Sequence, residues 1–120
     1  MAILSRVLGR PVAGRELPPV DTTGASIVRG RWIPAIGGRL AGMAGPAAAV
    51  TLGSTIVVHP EAPLTAGLLR HELAHVQQWR RNPLGFAFIY MWHHFRLGYA
   101  DNPFEVEARA AETDPDRRRR

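Results

Sequence analysis

A chain of 120 residues supports one hydrophobic core rather than two, so every functional element must share a single small domain. Its 46% hydrophobic and 21% charged residues are those of an ordinary globular protein, and the absence of cysteine excludes disulfides and thiolate metal sites. The net charge of +5 suggests a nucleic-acid binder, but residues 117–120 are four arginines that account for most of it, so the body is nearly neutral and no specific nucleic-acid partner is expected.

Along the chain, residues 1–46 form a Gly/Pro-rich segment, partly irregular, with Pro18-Pro19, Gly37-Gly38 and Gly45-Pro46 among its breaks. One strand is predicted in it, over 26–33. Its first residues are short apolar pieces broken by Arg6, Arg10 and Pro11, without the continuous apolar core of a secretory leader, so a cytoplasmic location is expected. The pattern sharpens at two β-prone runs, 48–52 and 55–59, on either side of Gly53-Ser54, which reads as a hairpin. Thr65 is placed to cap a helix over 66–81 that Asn82-Pro83 stops. A second helix over 84–97 is apolar nearly all round, as a buried helix would be, and Gly98 suits its C-terminal cap. Its most apolar run, 84–92, is far short of the about 20 residues a membrane span requires. A third helix opens at Asn102-Pro103 and runs to about 112. Residues 113–120 are expected to be a solvated, disordered end.

The chemistry is concentrated in Leu69-Arg70-His71-Glu72-Leu73-Ala74-His75-Val76-Gln77-Gln78-Trp79. This is His-Glu-x-x-His on a predicted helix, and a spacing of four stacks both imidazoles on one face, where they can reach one Zn²⁺. At about 100° per residue, Glu72 is offset around the helix, beside the histidines, where its carboxylate reaches a metal-bound water and acts as catalytic base. Leu69, Leu73 and Val76 fall on the opposite side and face the core. The bland alternative is a surface helix with two solvated histidines.

A catalytic zinc takes three protein ligands and an open position. Glu105 is the preferred third ligand, although as the third helical residue after Asn102 it also fits a capping box. Glu107, His93 and His94 are the other candidates. The adjacent pair His93-His94 points to two sides of its helix, so at most one faces a metal. Tyr99 is either an oxyanion donor or a packing residue, and His59 reads as a strand-end residue. The strand over 55–58 either pairs with an extended peptide, if it is an edge, or covers the core. Trp79, Phe86, Phe88, Tyr90, Trp92 and Phe95 read as core.

These motifs resemble the gluzincin class of zinc metallopeptidases, in which a helix carries His-Glu-x-x-His and a later helix supplies a Glu ligand in a Glu-x-x-Ala-Asp context. His71, Glu72 and His75 match the first part. Glu105 to Ala108 match the second, with Arg109 where Asp is usual. Residues 49–78, with AVTLGSTIVVHP followed by LLRHELAHVQQ, are similar to the small metallopeptidase-like domain associated with extracellular contractile injection systems. The resemblance spans about 47–112 and implies an α+β zincin-like minimal domain, with a small β-hairpin or sheet packed on the His-Glu-x-x-His helix plus two further helices. The expected function is zinc-dependent hydrolysis of a peptide or protein substrate. A zinc-containing binding module docked to a larger protein assembly is the alternative.

Overall fold

In the computed structural model, residues 9–40 and 47–113 are described. The elements are β1 (Arg10–Pro11), β2 (Ser26–Arg29), α1 (Trp32–Leu40), β3 (Ala49–Leu52), β4 (Thr55–Val58), α2 (Ala66–Arg81), α3 (Phe86–Asp101) and α4 (Pro103–Ala111). The architecture is α+β, as expected: a four-stranded mixed sheet with four helices. The arginines at 117–120 lie outside the described residues.

Strand order is β1-β2-β4-β3, with β2 and β4 parallel and the other two pairs antiparallel. The predicted hairpin is β3–β4, closed by a two-residue loop whose first position, Gly53, has φ 61°. A loop that short needs a positive φ there, which glycine adopts without strain. The strand predicted over 26–33 stops at Arg29, and a helix begins at Trp32. Alternation then divides the sheet. Ile56 and Val58 pack with Leu69, Leu73 and Val76 of α2. Val57 faces the other way, paired in register with Val50, against which Gly37 of α1 sits closely.

β4 is an interior strand, so it has no free edge on which to receive a peptide; among the described residues the edge strands are β1 and, of the hairpin pair, β3. Hairpin composition did not distinguish the two, because the partner that covers β4 is β2, about 30 residues away in sequence.

α2 matches its predicted limits, and Thr65 Oγ1 accepts the Leu68 amide at 3.1 Å as the N-cap. α3 departs from expectation. Of its residues only Phe86 is buried, against Trp79 and Phe104 at ring distances of 4.9 Å, whereas Phe88 is 80% and Phe95 79% exposed and Trp92 is also exposed. Apolar patterning all round a helix signals burial only when elements cover both faces, and among the described residues α2 and α4 both meet it at Phe86, through Trp79 and Phe104. The helical run is interrupted at Gly98 (φ 81°, ψ 173°), the residue predicted to close it, and a further turn leads to Asp101. Among the described residues, no helix is long and apolar enough to cross a membrane.

The α3–α4 joint is Asn102, which is fully buried. Its Oδ1 accepts the Phe104 amide at 3.0 Å and caps α4, while its Nδ2 donates to the Tyr90 carbonyl at 3.1 Å. Asn102→Ala removes the α4 cap and the buried side-chain bond to the Tyr90 carbonyl, so it is expected to lower stability by about 1–3 kcal/mol in urea unfolding. A loss below about 0.5 kcal/mol would show that the joint does not hold the two helices.

Candidate metal centre

α2 lies between the sheet and α4, so both sides of its helical wheel are buried: Leu69, Leu73 and Val76 toward the sheet, and His71, Glu72 and His75 toward the rest of the site. Two solvated histidines on a surface helix are thereby excluded. Where α4 crosses, Ala74 meets Ala108 and Ala111. Alanine permits close approach, and this brings the α4 carboxylates onto the α2 imidazoles.

His71, Glu72 and His75 form a buried group that can hold a metal ion, their ligand atoms all within 4.8 Å of one another. Glu105, 3% exposed, places Oε1 3.0 Å from His71 Nε2 and 3.3 Å from His75 Nε2. Ligands about 2.0–2.1 Å from a tetrahedral zinc are about 3.3 Å from each other, so this donor set fits such an ion. The capping-box alternative for Glu105 fails because the Asn102 amide bonds to the Tyr99 carbonyl instead.

Each of these donors has an outer partner. His71 Nδ1 lies 2.9 Å from Glu112 Oε1, and His75 Nδ1 lies 2.8 Å from Gln78 Oε1. Gln78 Nε2 in turn donates to the Phe104 carbonyl and to Glu107 Oε1. Tyr90 donates its hydroxyl to Glu105 Oε2 at 2.6 Å. Thr51 Oγ1 of β3 donates to the Glu72 carbonyl at 3.2 Å and lies 3.4 Å from its Oε1, tying the carboxylate to the edge strand.

Electrostatics follow from burial and these contacts. Burial raises the Glu72 carboxyl, against the pull of His75 and His71. Burial alone would lower both imidazoles, but the hydrogen bonds they donate to Glu105 and the charge of Glu72 outweigh it, so His71 is raised and His75 reaches about 9. For Glu105 burial works upward, yet bonds from His71 and His75 hold it below the usual carboxylate range. Tyr90 and Tyr99 are both raised by burial and by the charge of Glu105.

The group opens into a cleft of about 400 Å³ whose walls include Val50, Leu52, Leu68, Phe86 and Met91. Tyr99 and His94 also line it. His93 packs on Phe104, and Glu107 bonds Gln78 and Arg81, so neither joins the His71–His75 pair. His59 accepts the Glu61 amide on Nδ1, a local loop contact. Tyr90 and Trp79, expected in the core, stand at the cleft, where the Trp79 indole donates to the Thr51 carbonyl.

Gln78, Glu112 and Thr51 were not anticipated as partners of the site. Gln78 stands three residues after His75, a spacing that places them on one helix face, and was open to reading. Thr51 and Glu112 are 21 and 41 residues from their partners and had no local signal.

Residues 39–83 match the family model of the eCIS core domain, which associates this segment with extracellular contractile injection systems. The match takes in the β3–β4 hairpin and α2 but ends before α3 and α4. No curated protein and no solved structure matches the chain.

Proposed function

We propose that the protein is a zinc-dependent, peptidase-like hydrolase in which His71, His75 and Glu105 hold the ion and Glu72 is the general base. The observation that carries this reading is the convergence of two Nε2 atoms on one Glu105 oxygen at ligand-to-ligand spacing, with a buried Glu72 carboxyl alongside. Zinc, when bound, would lower the pKa of water to about 7 and polarise a substrate carbonyl. Glu72, its proton affinity raised by burial, is suited to accept a proton from attacking water and return it to a leaving amine. Thr51 holds that carboxylate in place. Tyr99, at the cleft, is suited to donate a hydrogen bond to the developing oxyanion. The apolar walls favour a peptide or protein substrate with apolar side chains beside the scissile bond, and a cysteine-free chain suits the reducing cytoplasm.

A second reading is a zinc-containing module that docks to a larger assembly. It is favoured by the match to the eCIS core domain and by the exposed Phe88, Trp92 and Phe95 on α3. Elemental analysis of the purified protein, followed by mass spectrometry of a peptide mixture incubated with and without a chelator, tests both. About one zinc per chain and chelator-sensitive cleavage are expected. Bound zinc without cleavage leaves the docking module, and no metal after incubation with zinc overturns both readings.

A further inference from the structure

We propose that Glu112 is the positioning residue for His71, its carboxylate setting the orientation and tautomer of that imidazole for metal binding. The inference rests on the metal-centre reading above and extends it to a residue outside the segment matched by the eCIS core domain.

An imidazole binds a metal through one nitrogen, and the hydrogen bond made by the other decides which nitrogen is free and where the ring points. His75 is served within its own helix, by the amide oxygen of Gln78 three residues on. His71 has no such neighbour. The residue three positions after it is Ala74, which is buried against Ala108 and Ala111. Its acceptor comes from the C-terminal end of α4, where Glu112 Oε1 lies 2.9 Å from Nδ1. With Nδ1 engaged by the Glu112 carboxylate, Nε2, aimed at Glu105, is the nitrogen left for a metal once its own proton is displaced.

The geometry of α4 explains why position 112 serves. Seven residues after Glu105 is two helical turns, which returns to the same face, with Ala108 and Ala111 buried along it. Arg109, one turn after Glu105, is turned away and donates to the Ala100 carbonyl. One helix therefore supplies both the carboxylate that meets the two Nε2 atoms and the carboxylate that orients His71.

Glu112 is held in register without its side chain. Arg70, next to His71, donates through its guanidinium to the Glu112 main-chain carbonyl at 3.0 Å. The Glu112 side chain is 42% exposed, so trimming it leaves no core cavity. A loss of metal affinity in Glu112→Ala at unchanged metal-free stability therefore reports positioning, whereas a structural role lowers both together.

Zinc affinity of the full chain is measured by competition with a chromophoric chelator for wild type, Glu112→Ala and Glu112→Gln, alongside the melting temperature of each metal-free protein. Glu112→Ala is expected to bind zinc about 10- to 100-fold more weakly with its metal-free melting temperature unchanged. Glu112→Gln, which keeps an acceptor oxygen, is expected to recover most of that loss. Equal affinity in Glu112→Ala and wild type overturns the proposal while leaving the metal centre standing. So does a metal-free melting temperature that falls in step with affinity, which marks the residue as structural. A wild type that takes up no zinc overturns the underlying metal-centre reading instead.

Discussion

Glu72→Gln is expected to retain about one zinc per chain and to lose hydrolysis by about 10²- to 10⁴-fold, the range ascribed to a general base. The amide is nearly isosteric with the carboxyl, and its oxygen can still face Thr51 Oγ1, so fold and metal content should persist. What disappears is the group that accepts a proton. His75→Ala and Glu105→Ala are expected to fail differently, losing the metal itself. His75→Ala removes one of the two Nε2 donors, and Glu105→Ala removes the oxygen between them. Elemental analysis separates the two classes. A Glu72→Gln protein that still hydrolyses peptide at the wild-type rate would remove Glu72 from the chemistry, and zinc retained by Glu105→Ala would move the third ligand elsewhere.

The second large effect is on pH. In the metal-free protein the Nε2 atoms of both imidazoles face Glu105 and His75 Nδ1 faces Gln78, contacts that with the charge of Glu72 outweigh burial and favour the protonated rings, and His75 is raised from 6.5 to about 9. A folded-state pKa above the unfolded value contributes stability that is fully present below about pH 6.5 and lost as pH rises through 9. Glu105 is shifted the other way, so its contribution is present above its ordinary value of 4.5 and lost on acidification. His75 and Glu105 together therefore contribute most between about pH 4.5 and 6.5, while Glu72, whose carboxyl burial raises, costs stability as pH rises above its ordinary value, so the metal-free protein is expected to weaken from about pH 6.5 toward pH 9. Zinc must displace the Nε2 protons, so its affinity should rise over the same interval by about tenfold per pH unit for each proton released. Chelator competition and thermal unfolding at pH 6, 7, 8 and 9 test both trends. Zinc affinity independent of pH across this window would mean that the imidazoles are already neutral in the metal-free protein.

Helix α2 was legible to the residue because its signals are local: a threonine cap, apolar spacing and an Asn-Pro stop. The hairpin and the opening of α4 were legible for the same reason, through Gly53-Ser54 and Asn102-Pro103. So was the grouping of His71, Glu72 and His75, since helical geometry alone puts the two imidazoles on one face. The all-apolar α3 misled, because periodicity reports which residues are apolar and not whether another element exists to cover them.

By itself, then, the sequence determined the helix that carries the two histidines, the glutamate beside them and the absence of cysteine ligands. That Glu105, and not Glu107 or His93, lies against the two imidazoles belonged to the tertiary structure. So did the edge position of β3 and the placement of Thr51, Tyr90 and Glu112 around the site. These depend on how α4 and the sheet dock on α2, through the close Ala74, Ala108 and Ala111 contact and the β2–β4 pairing, and such long-range packing leaves no mark in the spacing of neighbouring residues.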